Sequence, residues 1–264
     1  MIRFDGIINA RDLGGTRIGS KTVREGLLLR TAHLHNASDN DVLRLCSDYH
    51  LRRIFDFRSS PEASLEPDRD IPGARHILLP TLDTSAEEKT GEAIPEEMWL
   101  DLSKHIVQLS FTHFFKAKAR SLYPSLILSE FSQLQYATFL NLILETTEGA
   151  VLWHCSQGKD RTGIGAALIL AALGADRATI VEDFDRSNDI YRPLVEKLCA
   201  EVEKAGGGEE EKDVIRAFMG VSVRNFQHGL DVIEANWGTL ILYMEEQMGI
   251  TQEDLLVLRE RYLE

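Results

Sequence analysis

Ten consecutive residues, His154-Cys155-Ser156-Gln157-Gly158-Lys159-Asp160-Arg161-Thr162-Gly163, constrain this chain more than any other stretch. They follow the apolar run Ala150-Val151-Leu152-Trp153 and precede the apolar, alanine-rich stretch from Ile164 to Leu173. A short apolar run ended by a polar, glycine-containing turn reads as a strand, and the longer run after it as a helix. Strand, tight loop and helix N-terminus together form an anion socket. Loop N–H groups converge there over the positive end of the helix dipole.

Short β-like and helical stretches alternate elsewhere too. Val23 to Arg30 is β-like after the turn Ile18-Gly19-Ser20-Lys21, and Ser38 reads as the N-cap of a helix through Cys46. Arg53 to Phe57 and His76 to Leu79 are short strands, the second ended by Pro80, and Gln135 to Thr146 is helical. The alternation predicts an α/β fold with a mainly parallel central sheet flanked by helices. In such folds the site lies beyond the C-terminal strand ends, where Asp56 and Cys155 both fall. One domain over residues 1–264 is expected. An insertion at about 82–130 turns from polar (Thr84 to Lys89) to aromatic and helical (Trp99, Phe111, Phe114, Phe115, Tyr123, Phe131). It reads as a helical lid or an added pair of core helices. Glu201 to Asp213, with Gly206-Gly207-Gly208, reads as a solvated break. The tail reads as amphipathic helices over about Ser222–Met248, interrupted near Trp237-Gly238, and over Gln252–Tyr262 capped by Thr251, without chemistry of its own.

The chemistry is carried by spacing. Five residues separate Cys155 from Arg161, so both address one socket. A cysteine in that field is held as thiolate, with a typical pKa of roughly 3.5–7.5 against about 8.5 for a free thiol. Arg161 supplies a planar pair of donors matched to two phosphate oxygens. Gly158 permits positive φ and close backbone approach. Thr162 can hydrogen-bond the sulfur as it leaves, and Ser156, Gln157, Gly158, Lys159 and Asp160 complete the phosphate-binding loop. Packing alone accounts for Cys155 but not for Gly158, Arg161 and Thr162 beside it.

The loop resembles that of the bacterial atypical tyrosine/dual-specificity phosphatases of the protein-tyrosine-phosphatase superfamily, His-Cys-x-x-Gly-Lys-Asp-Arg-Thr-Gly. Further segments are similar to the family pattern: Asn9-Ala10-Arg11-Asp12-Leu13-Gly14-Gly15, Arg30-Thr31-Ala32, Phe55-Asp56-Phe57-Arg58-Ser59 with Glu62, and Asp183-Phe184 with Ser187-Asn188. Phe57 stands where Leu is usual and Phe184 where Tyr is usual. The resemblance implies a cysteine-dependent phosphatase acting through a thiophosphoryl-cysteine. Its substrate would be a phosphorylated protein or a phosphoinositide. The lysine of the loop is similar to that of phosphoinositide phosphatases, so Lys159 is expected to meet a second phosphate; its alternative is a solvent-facing lysine. Asp56 is the favoured general acid and Asp160 the water-orienting group. The alternatives are Asp160 as acid and an ion pair of Asp56 with Arg58. Gly14-Gly15 is read as a turn, and Arg11-Asp12 as structural or ligand-binding.

No cofactor or metal is expected, because Arg161 and the loop amides supply the positive charge. The net charge of −13 argues against nucleic-acid partners and against general attraction to anionic membranes. No stretch suggests integral membrane association, and a cytoplasmic location is expected for the chain as given, or secretion if a signal segment was removed. Cys46 and Cys199 are read as packing residues. Two other classes use similar parts. A persulfide sulfurtransferase leaves the Arg161-Thr162-Gly163 ending unexplained, and a phosphate-reading binding module usually lacks the cysteine or arginine that this chain retains.

Overall fold

The computed structural model describes residues 2–83 and 122–264. A five-stranded sheet runs in the order β1-β4-β7-β5-β6, formed by β1 (Arg11–Asp12), β4 (Leu28–Thr31), β7 (Val151–His154), β5 (Arg53–Asp56) and β6 (Arg75–Leu78). Strands β4, β7, β5 and β6 pair in parallel, and β1 pairs antiparallel with β4. A separate hairpin joins β2 (Arg17–Ile18) to β3 (Lys21–Thr22). The expected mainly parallel α/β arrangement is the one found.

All residues of β4 and β7 are buried, as expected for parallel strands covered on both faces. The alternation of side chains divides them between two cores. Leu28, Phe55, Val151 and Trp153 join the larger cluster, and Leu29, Ile54 and Leu152 the smaller one. Helix α1 (Asp39–Ser47) begins at a reciprocal cap between Ser38 and Asp41, and α2 (Ser60–Leu65) at one between Ser59 and Glu62. Helix α3 (Glu130–Glu145) precedes β7. Helix α4 (Asp160–Leu173) is buried at every position from Thr162 to Leu173. Such a helix, apolar all round, belongs in a core. It ends at Gly174, whose φ of +97° lets its N–H return to Leu170 and Ala171.

Register sets the site. Thr31 and Asp56 each stand opposite His154. The parallel strands therefore end level, and Cys155 is the first residue off the central strand. Helix α5 (Arg177–Lys204) turns Asp183, Ser187 and Tyr191 inward along one stripe.

One reading changes. The expected break over Glu201 to Asp213 narrows to residues 205–208. Both flanks are helical, with α6 (Glu209–Met219) folding back on α5. Val202 and Ile215 form a small core there, joined by Cys199 in the packing role expected of it. The tail contains α7 (Val223–Trp237), α8 (Leu240–Met248) and α9 (Gln252–Tyr262), capped by Thr251 as expected. Of the expected insertion, residues 84–121 lie outside the described residues, while 122–128 are helical. No helix among the described residues is long and apolar enough to cross a membrane.

Leu152 is fully buried in the smaller cluster. Leu152→Ala should lower unfolding free energy by about 2–5 kcal/mol in urea titration. A loss under roughly 1 kcal/mol would show that this face is not close-packed.

Candidate active site

The loop between β7 and α4 is shaped from behind. The Ser156 carbonyl accepts from the His33 N–H at 3.3 Å. The Gln157 carbonyl accepts from Asn9 Nδ2 at 3.0 Å and from the Tyr191 hydroxyl at 2.7 Å. The Gly158 carbonyl accepts from Asn9 Nδ2 at 2.8 Å and from Arg30 Nη2 at 3.0 Å, and Arg30 Nη2 also reaches the Lys159 carbonyl at 3.4 Å. In a trans peptide the N–H points opposite to its carbonyl. Four carbonyls held outward thus aim the N–H groups of residues 157–160 into the socket. Gly158 has φ +64°, and a Cβ there would lie 2.2 Å from the Thr31 carbonyl oxygen. Glycine is required at that position by backbone angle and by space alike.

Arg30 is anchored in turn. Its Nη1 donates to Asp183 Oδ2 at 2.5 Å, and Arg11 donates to the Asp183 carbonyl at 2.6 Å and to Ser187 Oγ at 2.9 Å. Burial, and then the neighbouring Arg30 charge, lower Arg11 to about 9. Arg11 is thus a structural member of the site. Asp12 caps the Gly14 and Gly26 N–H groups and so serves the turn that Gly14-Gly15 was expected to make.

Inside the socket Cys155 is buried. Burial alone would raise its thiol; the Arg161 charge and the Thr162 hydroxyl and N–H outweigh this and lower it. Thr162 Oγ1 is buried with no other hydrogen-bond partner among the described residues, which leaves it to the sulfur. Arg161 is gripped by Glu62. Nη1 meets Oε2 and Nη2 meets Oε1, each at 2.7 Å, and Ser156 Oγ donates to the same carboxylate at 2.7 Å. Burial opposes ionisation of Glu62, but the Arg161 charge and hydrogen bonds hold it well below the usual carboxylate range. Arg161 is likewise raised by Glu62 against the effect of burial. Glu62 was matched in the sequence without a role. The Ser59-x-x-Glu62 capping box was the available signal, since it fixes the helix that carries the carboxylate.

Asp56 stands beside His154 rather than facing the socket, and it is fully buried. Its oxygens accept from the Arg58 N–H at 2.9 Å, from Nε at 2.9 and 3.1 Å, and from Nη2 at 2.8 Å. Three N–H groups of Arg58 thus engage both carboxylate oxygens. The pairing with Arg58, the alternative in the sequence, is the one that forms. Arg58 also meets Asp68 at 2.9 Å, and Asp68 lies 3.0 Å from His154 Nε2 and 2.9 Å from His76 Nε2. Burial would lower His154, but Asp56 and Asp68 raise it. Asp56, Asp68, His76 and His154 come close enough to hold a cation, yet the Arg58 guanidinium already occupies the space between the two carboxylates.

Lys159 does not extend to solvent. It is buried, and its ammonium donates to the carbonyls of Phe218 and of Gly220, the latter at 2.9 Å, with Asp160 Oδ2 at 3.7 Å. Two of the ammonium protons go to the end of α6, and Asp160 adds an ion pair at longer distance. Burial, the largest influence, lowers its pKa. The far end of the chain therefore touches the loop, which the tail's sequence did not suggest. Asp160 opens α4, and its Oδ1 accepts from the Tyr123 hydroxyl at 2.6 Å.

A model of the tyrosine phosphatase family matches residues 2–264. The chain belongs to the tyrosine phosphatase family. A Cupriavidus necator protein whose name gives it provisionally as a tyrosine-protein phosphatase is 29% identical over 267 residues, 99% of this chain and 88% of that protein. The triple specificity protein phosphatase PtpB of Mycobacterium tuberculosis is 26% identical over 270 residues, 94% of this chain and 93% of that one. As a member of the tyrosine phosphatase family the chain is a cysteine-dependent phosphatase.

The Arg161–Glu62 pair has a pH signature. Glu62 ionises more readily folded than unfolded, so its contribution to stability is complete above the ordinary value of 4.5 and is lost as pH falls through the lowered one. Glu62→Gln should reduce kcat/KM by about ten- to a hundredfold. Its urea midpoint should lie below that of the native protein at neutral pH and converge with it as pH falls below 4.5. A gap independent of pH would place the stabilisation elsewhere.

Proposed function

We propose that this phosphatase hydrolyses phosphotyrosine through a thiophosphoryl-Cys155 intermediate, and that phosphoserine, phosphothreonine and phosphoinositides are further candidate substrates. The observation that carries the reading is the combination of Cys155, lowered toward thiolate, with Arg161 held square to it by Glu62. The Cys155 sulfur attacks phosphorus in line. A P–S bond forms as the bond to the leaving oxygen breaks, while Arg161 and the N–H groups of residues 157–160 bind the three equatorial oxygens. Water then attacks phosphorus, the P–S bond breaks, and Thr162 stabilises the departing sulfur.

Proton transfer needs a carboxyl group with a free oxygen. Asp56 has both oxygens on Arg58, and Glu62 has its oxygens on Arg161, Ser156 and the Ser59 N–H. Asp160 is partly exposed, and among the contacts above only the Tyr123 hydroxyl lies within hydrogen-bond distance of it. It is therefore the group that protonates the leaving oxygen and afterwards takes a proton from water, with Asp56 positioning Arg58 and His154 behind the nucleophile. Breadth of substrate is supported by PtpB, named for triple specificity. Lys159 adds no support, because its ammonium is held by the carbonyls of Phe218 and Gly220.

Cys155→Ser should abolish turnover while retaining phosphate-analogue binding, because the alcohol is not ionised at neutral pH and the amides and Arg161 remain. Release of inorganic phosphate and competition by vanadate measure the two. Appreciable turnover by the serine variant would put the chemistry at another residue. Activity should also survive a chelator, and its loss to EDTA with restoration by one metal would contradict the electrostatic role given to Arg161.

A further inference from the structure

We propose that Tyr123 is a positioning residue for catalysis, which holds one oxygen of Asp160 so that the other is left to move the proton. This rests on the reading above in which Asp160 is the proton-transferring group.

Tyr123 lies in the helical turn 122–128, far from the loop in sequence but against it in space. It is 2% exposed. Its ring stands edge-on to Phe184 at 5.8 Å and to Phe226 at 6.5 Å, and those two rings stack on each other at 3.9 Å and 8°. An aromatic cluster of this kind fixes a ring in place and direction. The hydroxyl accepts from the Ser222 N–H at 3.3 Å, at the N-cap of α7, and donates to Asp160 Oδ1 at 2.6 Å. A phenol has one proton to give, and here it goes to Asp160.

Burial, and then the Asp160 charge, raise Tyr123 well above the ordinary value of 10. The hydroxyl therefore remains a donor across the working range of a phosphatase. Among the described residues, the other ionisable groups interacting with Asp160 include Lys159, 3.7 Å from Oδ2, the Cys155 sulfur and Tyr191. The two carboxylate oxygens are thus inequivalent. Oδ1 is pinned to a rigid aromatic anchor, and Oδ2 lacks a hydrogen bond from Tyr123. A group that first gives and then takes a proton gains rate when its reacting oxygen points in one direction.

The test uses the full chain with Tyr123→Phe and Asp160→Asn, each assayed on phenyl phosphate and on an aryl phosphate with an acidic phenol. An acid assists poor leaving groups more than good ones. Tyr123→Phe keeps the ring and removes only the donor, and unchanged inhibition by inorganic phosphate certifies an intact socket. It should lower kcat on phenyl phosphate by about tenfold, with little effect on the activated ester. Equal loss on both substrates would overturn the proposal, as a merely structural tyrosine behaves in that way. If Asp160→Asn discriminates between leaving groups and Tyr123→Phe does not, the Tyr123 proposal alone falls. If Asp160→Asn does not discriminate, the assignment of Asp160 falls, and the proposal with it.

Discussion

A loop that binds a dianion with its own N–H groups must hold its carbonyls elsewhere, and in this protein that constraint organises everything around the site. Asn9, Arg30 and Tyr191 reach the backs of Gln157, Gly158 and Lys159 from three separate parts of the chain. Arg30 leaves the strand beside β7, Tyr191 stands on the inward stripe of α5, and Asn9 precedes β1 with φ +51°. The sheet register and the α5 helix have the same task, which is to deliver donors to the outer side of seven residues.

Burial makes these anchors consequential. Two guanidinium groups, Arg11 and Arg30, share the single carboxylate of Asp183 beneath the loop. The surplus positive charge there, at low dielectric, adds to the field that Cys155 and a bound phosphate experience. On the opposite side Arg58 lies between Asp56 and Asp68, and His154 completes that network directly before the nucleophile. Breaking one member of such a network leaves a buried charge unpaired, commonly at a cost of about 3–5 kcal/mol. Buried charge networks thus flank the loop on both sides.

What the sequence disclosed follows from how local each feature is. The strand–loop–helix unit, the positive φ of Gly158, the Ser38 and Thr251 caps and the alternating α/β order depend on neighbours in the chain, and all were readable. Asp56 looked like an acid because it ends a strand. Only the folded structure reveals that Arg58, two residues on, curls back onto both of its oxygens. Lys159 looked like a substrate contact because the carbonyls that hold it, of Phe218 and Gly220, lie some sixty residues away at the end of α6. Tyr123 was legible only as one aromatic among several, because its hydroxyl partner is set by tertiary packing. Glu62 was visible as a cap, but its grip on Arg161 spans 99 residues.

The central claim is that donors behind the loop aim its N–H groups and thereby hold Cys155 as a thiolate. It is tested most directly by Arg30→Lys, which keeps the charge but cannot bridge Asp183 and the Gly158 carbonyl as the planar guanidinium does. The measurement is the pH dependence of inactivation by iodoacetate, with protection by inorganic phosphate identifying the reaction at Cys155. The account predicts a midpoint at higher pH than in the native protein, together with weaker phosphate protection. An unchanged midpoint with full protection would contradict it.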